Sequence, residues 1–243
     1  MPGLGTIVNA AAIVVGGLIG IVGKKLIKTR FQEILNVALG LSVLVMSVAG
    51  FVSEMLVMNE GGFGTRGSYM IVAALVLGAL LGELIDIDGK LERFGEFLKR
   101  KTGNAKDASF VDGFVSASLV VCIGAMAVMG AIMDGIAADH SILFTKAILD
   151  FVIVMVMAAS KGKGCLFSAI PVAIFQGVIT LLSTFLQPIL NNLAMSYLSI
   201  VGSALILCIG VNLLAGRKYR IKVANLLPAV IFAVAAAYIP FLQ

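Results

Sequence analysis

Apolar stretches of about 20 residues, the length that crosses a bilayer core, recur from one end of this 243-residue chain to the other. No other feature constrains the fold as tightly. The chain is 60% hydrophobic and 13% charged, with a mean hydropathy of +1.09, whereas a soluble globule carries about 25% charged residues. It cannot clothe itself in polar surface, and no polar stretch is long enough to fold as a domain of its own. The expected fold class is an all-α polytopic transmembrane helical bundle, one integral membrane domain over residues 1–243.

Eight apolar spans can be read, at about 4–23, 34–54, 68–87, 110–133, 141–160, 165–187, 193–214 and 225–242. The last is short and carries Pro228, so seven is the alternative. The first span has no basic stretch ahead of it and no small-residue cleavage pattern after it, which reads as a retained helix.

The net charge of +5 does not point to nucleic acid, because the basic residues sit in short loops at span edges. Lys24, Lys25, Lys28 and Arg30 follow span one. Lys90, Arg93, Lys99, Arg100, Lys101 and Lys106 follow span three. Lys161 and Lys163 follow span five, and Arg217, Lys218, Arg220 and Lys222 follow span seven. Of the 18 basic residues only Arg66 and Lys146 fall elsewhere. Positive loops face the cytoplasm, which places both termini outside for eight spans. The segment 86–107 sets Leu91, Phe94, Phe97 and Leu98 at helical spacing among charges. It reads either as an amphipathic helix on the inner leaflet or as a solvated connector.

Sliding the chain on itself brings Val8, Ala10, Val14, Gly17 and Gly23 onto Val115, Ala117, Val121, Gly124 and Gly130. The same shift carries span two onto span five, and span three nearly onto span six. A three-helix unit repeated over 1–88 and 108–190 would be inverted, a plan frequent in secondary transporters, with 191–243 as additional helices. A parallel four-plus-four arrangement is the alternative.

Within the spans, Gly16, Gly20, Gly23, Gly124 and Gly130 are candidates for close helix packing. Asn9 is an amide in hydrocarbon and must face protein or water; its repeat counterpart is Ser116. Lys146 and Asp150 lie four residues apart inside span five, on one helix face. Lys146 is placed to snorkel outward, and Asp150 lies near mid-depth. A charge there costs about 2.5–3.5 kcal/mol and marks a functional site by default, although a purely structural ion pair satisfies the same pattern. Asp112 stands at the cytoplasmic end of span four and could line an inner mouth; Glu83 and Asp134 read as interfacial carboxylates. Span six combines Pro171, Gln176, Gly177 and Thr180, either a bent helix beside a site or a simple kink.

Chemistry of other kinds finds little footing. The single histidine, His140, and three scattered cysteines, Cys122, Cys165 and Cys208, imply no metal site and no disulfide framework. No H-E-x-x-H, phosphate-loop or G-x-S-x-G motif occurs, so neither an enzyme nor a cofactor is expected.

The blocks "GTIVNAAAIVVGGLIG", "VDGFVSASLVVCIGAMAVMG", "LFTKAILD", "FSAIPVAIFQGVITLL" and "KVANLLPA" resemble, in order and over nearly the whole chain, the bacterial membrane family known as domain of unknown function 554, the YqgA- and YdfK-like proteins. The resemblance implies a multi-pass protein of the bacterial inner membrane in which transport is suspected. It supplies no substrate and no catalytic residue. Its motifs coincide with Asn9, Asp112, Gly124, Lys146, Asp150, Pro171, Gln176 and Gly177.

The expected function is a small transporter or channel for a small ion or polar solute. Its pathway would pass between spans one, four, five and six, past Asn9, Asp112, Ser116, Lys146, Asp150, Gln176 and Thr180. The expected partners are the lipid bilayer, the solute and a second copy in a homodimer, with no nucleic acid. The alternative is a non-transporting structural or regulatory membrane protein.

Overall fold

The computed structural model describes residues 1–26, 28–59, 62–215 and 220–239. Arg217, Lys218 and the last residues expected in span eight lie outside the described residues. The architecture is an all-α bundle carrying one short hairpin. Among the described residues, six helices are long and apolar enough to cross a membrane, or seven if one bent pair counts as a span.

Helix α1 (Leu4–Leu26) lies along α7 (Ser141–Lys161). Missing side chains make this possible. A methyl at Gly16 would stand 2.5 Å from the Phe151 carbonyl oxygen, and one at Gly20 would stand 2.2 Å from that of Met155. Helices without hydrophobic drive between them associate by this kind of close backbone contact. Gly130 does the same work on α6 (Ala125–Ala137), against Leu143 of α7. Gly23 lies near the end of α1, half-buried.

Helix α2 (Thr29–Met55) packs antiparallel on α10 (Asn192–Ala215), with Gly40 against Leu214, Leu44 against Gly210 and Gly50 against Ser203. Two strands, β1 (Leu56–Asn59) and β2 (Gly62–Thr65), form an antiparallel hairpin between α2 and α3. The span reading did not anticipate this hairpin. Helix α3 (Ser68–Ile85) runs antiparallel to the last element, a 3-10 turn Val223–Leu226 followed by α11 (Pro228–Ala236). Gly78 faces the backbone of Ala229 and Gly82 that of Asn225. The stretch Val223–Ala236 is shorter than a full span, although Tyr238 reaches across to the carbonyl oxygen of Ile189 at 2.5 Å.

Span four is two helices, α5 (Phe110–Cys122) and α6, bent by 62° at a break. Gly124 makes the break, with φ +141° and ψ +149°, a conformation essentially closed to residues with a side chain. Helix α5 forms the middle of the bundle: Phe110, Phe114, Ala117 and Val121 are fully enclosed. Helix α1, which the self-alignment lays over this span, is unbroken at Gly17, where the helix packs instead on Leu166.

The described basic segments gather at one end. There, α4 (Ile87–Lys101) packs on α5 through Gly95, where an added methyl would meet the Phe114 ring at 2.9 Å. Phe94 also meets Phe114, at 5.8 Å between ring centroids. The amphipathic helix expected within 86–107 spans Ile87–Lys101 and is docked on the bundle, with Leu98 buried and Phe97 exposed. The hairpin, His140 and the start of α1 lie at the opposite end.

Two expectations about span six are corrected. Pro171 does not bend a helix in mid-course. It stands in the first turn of α8 (Ala169–Leu181), just after a 3-10 helix, Lys163–Ser168, and a first turn needs no N–H from it. Gly177, expected beside Pro171 at a bend or kink, lies within α8, and a methyl there would meet nothing within 4 Å. A single further turn, α9 (Ser183–Leu186), ends this segment.

Candidate functional site

The charge pair inside α7 is buried, and its partners come from two other helices. Lys146 and Asp150 are 7% and 3% exposed. Lys146 Nζ donates to both Asp150 carboxylate oxygens, at 2.8 and 2.7 Å. The snorkelling expected of Lys146 does not occur. Its stem turns along the helix to its own carboxylate, because spacing of four brings the two side chains together on one face.

Asp150 Oδ2 also accepts from Asn9 Nδ2 of α1 at 3.0 Å. The same amide group donates to Gln176 Oε1 of α8 at 3.3 Å. Asn9 and Gln176 are fully enclosed. One lysine, one carboxylate and two amides from α1, α7 and α8 thus make a single connected cluster. Low dielectric strengthens such contacts and also makes any unpaired member costly. Two members have unused capacity: Asn9 Oδ1 and Gln176 Nε2 have no hydrogen-bond partner among the described residues. Thr180, one turn beyond Gln176 on the same face, is buried and its Oγ1 is likewise unpartnered.

Four of the sequence-derived pathway residues are therefore joined in one cluster, with Thr180 beside them on α8. Asp112 and Ser116 are not among them. Lys161 Nζ donates to Asp112 Oδ2 at 2.7 Å and to Ser116 Oγ at 3.4 Å. This second group ties the end of α7 to the start of α5 at the basic end. Ser116, which the self-alignment sets opposite Asn9, thus meets a different partner.

Around the cluster the packing is incomplete. A cavity of about 280 Å³ reaches Lys146 and Asp150, walled by Val43, Ser47, Ile123 and Ser203. A smaller one of about 120 Å³ continues past Gly50 and Ser203 to Glu54, near the hairpin. A third, of about 360 Å³, extends from Ile123 past Ser118 and Pro171 to Leu91 of α4, toward the basic end. Gly124 borders all three. The broken helix thus stands where the cavities meet, and a break leaves N–H groups of α6 and carbonyls of α5 outside the helical ladder.

Sequence reasoning missed several polar residues. Asp134 was read as interfacial but is fully enclosed, with Oδ1 2.6 Å from His140 Nδ1. Ser118 is buried with an unpartnered hydroxyl on the largest of the three cavities. Asn225 organises the basic end. It accepts from the Asp88 backbone N–H at 2.7 Å and donates to Glu83 Oε2 at 2.6 Å. Lys222 donates to the other Glu83 oxygen, also at 2.6 Å, which holds the Lys222 ammonium above the usual lysine range. Glu83 itself is exposed, as an interfacial carboxylate should be. The signal that marked Lys146 and Asp150, charge within an apolar run, was equally present at Asp134; its position near a span end disguised it.

No group of three or more His, Cys, Asp or Glu residues capable of holding a metal occurs among the described residues.

A family model described as "Protein of unknown function (DUF554)" matches residues 4–238. The uncharacterized membrane protein YdfK of Bacillus subtilis is 27% identical over 227 residues, covering 93% of this chain and 92% of that protein. The uncharacterized protein YqgA of Escherichia coli is 25% identical over 234 residues, covering 95% and 94%. No solved structure matches the chain.

Proposed function

The chain belongs to the DUF554 family of membrane proteins, and we propose that this member is a small transporter or channel for a small ion or polar solute. The observation that carries the reading is the position of Gly124. It breaks a membrane helix where three cavities meet, one of which reaches the Lys146–Asp150 pair. Irregular backbone at membrane depth is tolerated only inside protein or beside a cavity. Discontinuous helices near mid-membrane are how many secondary transporters present polar backbone groups to a solute.

In this reading the solute passes the break and contacts Lys146 and Asp150, while Asn9 and Gln176 hold the carboxylate in place. Asp112 and Ser116, tied to Lys161, form the inner mouth. The basic end faces the cytoplasm of a bacterial inner membrane. The two three-helix units over 1–88 and 108–190 are inverted relatives, and a second copy covers part of the exposed apolar surface of α2 and α3. No step of this function makes or breaks a covalent bond, so the protein is not an enzyme.

The test is solute uptake into liposomes containing the wild type or Asp150→Asn. Loss of uptake with an unchanged melting temperature supports the proposal; unchanged uptake removes Asp150 from the pathway. A second reading, a structural membrane protein, is favoured by the completeness of the pair, since Asp150 accepts three hydrogen bonds. It requires instead that Asp150→Asn lower the melting temperature and alter no flux.

A further inference from the structure

We propose that a file of buried polar groups, running from His140 through Asp134 and Thr6 with Thr180 to the Asn9–Gln176–Asp150 cluster, is the proton entry path of this protein. The inference rests on the transport reading of Asp150 and adds the ion that drives it and the residues that admit it.

Among the described residues, five buried polar atoms are unpartnered where α1, α6, α7 and α8 meet: Thr6 Oγ1, Asn9 Oδ1, Asp134 Oδ2, Gln176 Nε2 and Thr180 Oγ1. Buried polar groups are almost always hydrogen-bonded to protein or water, and a cluster of orphans with both donors and acceptors is a seat for bridging water.

Their order is fixed by helix direction. His140 Nδ1 lies 2.6 Å from Asp134 Oδ1, and the His140 side chain is 17% exposed where Asp134 is not exposed at all. Asp134 Oδ2 points at α1, 3.2 Å from where a methyl of Gly5 would be. Thr6 follows Gly5, and Asn9 lies one turn deeper on the face of Thr6. Helix α8 runs the other way. Thr180, whose carbonyl lies 2.5 Å from where a methyl of Gly135 would be, is level with the end of α6, and Gln176 is one turn deeper, bonded to Asn9. From His140 to Asp150 is ten residues of α7, about 15 Å.

The ionisable groups facing this file are few. Helix α7 and its approach bring Asp139 beside His140, then Lys146 and Asp150; α6 brings Asp134. Among the described residues, helices α1, α8 and α9 bring no ionisable side chain to it. One proton is conserved at every step. Uptake at the free His140 ring nitrogen releases the proton shared with Asp134. Asp134 takes it on Oδ1 and, by rotation of its carboxyl group, turns that O–H inward to the position that Oδ2 holds. The hydroxyls of Thr6 and Thr180, each donor and acceptor, carry it with water to the Asp150 carboxylate. Protonated Asp150 loses its hold on Lys146, which frees the ammonium for an anionic or polar solute. The amides of Asn9 and Gln176 orient the file without carrying the proton.

The experiment uses full-length protein in liposomes loaded with a pH-sensitive dye, with an inside-negative potential set by potassium and valinomycin. Wild type is expected to acidify the lumen faster than protein-free vesicles. Asp134→Asn should slow proton entry by about 100-fold, the scale of losing a positioned proton carrier. His140→Gln, at the exposed end where folding is least disturbed, and the double variant Thr6→Val/Thr180→Val should slow it as well, while Gly177→Ala should not. Normal proton entry in Asp134→Asn and His140→Gln, with loss in Asp150→Asn, would overturn this path and leave the transport site standing. Normal entry in Asp150→Asn as well would sink both. A wild type no leakier than empty vesicles would refute proton entry and leave the transport reading to solute uptake alone.

Discussion

Asn9 Nδ2 donates to Asp150 Oδ2 at 3.0 Å although 141 residues separate them in sequence. That contact turns a local pair on one helix into a site shared by three, because Asn9 also reaches Gln176. It sets how the charge pair responds to mutation.

Removing one charge of a buried pair strands the other, at about 3–5 kcal/mol. Lys146→Met should therefore destabilise strongly, leaving Asp150 with Asn9. The double variant Lys146→Met/Asp150→Leu should recover most of the loss, since no uncompensated charge remains. Denaturant unfolding in mixed micelles measures both. A double variant no more stable than Lys146→Met would show that the stranded charge is not the source of the cost.

Two glycines predict opposite outcomes for the same substitution. Gly20→Ala drives a methyl against the Met155 carbonyl oxygen and must part α1 from α7, an overpacking cost of about 1–3 kcal/mol. Gly177→Ala meets open space and should be neutral or stabilising, since alanine is the better helix former. Melting temperatures compared side by side decide the point.

Gly124→Ala tests the helix break. With φ +141° the substitution costs about 1–3 kcal/mol of backbone strain, although nothing lies within 4 Å of the added methyl. The chain should still fold, with solute uptake reduced because α5 and α6 no longer meet the cavities at the same angle. Uptake equal to wild type would detach the break from function.

At the basic end the prediction concerns pH. Burial pushes the Asp88 carboxyl above the usual aspartate range, although Arg220 at 3.2 Å opposes the shift. Native protein then binds that proton more tightly than the unfolded chain. Stability from this group is present below the unfolded value and is lost as pH rises through the native one. Asp88→Asn should accordingly melt higher than wild type at neutral pH, with the difference vanishing in acid. A lower melting temperature at neutral pH would mean that the Arg220 contact outweighs the burial.

The residues differ in how much of this was legible beforehand. Six of the eight spans, the clustering of the basic loops and the Lys146–Asp150 pair depend on neighbours within about one helical turn or on simple length, and the sequence displays them directly; the break in span four and the shortness of the last were not displayed. The same local logic misjudged Lys146, since nothing near it in sequence shows whether its stem meets lipid or protein. It misjudged Pro171 because the 3-10 turn ahead of it moves the start of the helix. The glycines looked alike in sequence, but Gly20 faces a backbone carbonyl, Gly124 turns the chain and Gly177 faces nothing.

By itself the sequence determined the solvent of this protein, the apolar character of its helices, and the presence of charge where charge is costly, because hydropathy and helical spacing are properties of contiguous residues. Tertiary structure alone decided that Asn9 and Gln176 close around Asp150, that Asp112 goes to Lys161, that Asp134 is enclosed, and that Gly124 stands where the cavities meet. Those outcomes depend on which faces of distant helices touch, and apolar faces of nearly equal hydrophobicity carry no label for their partner; close packing and polar pairing across the bundle select it.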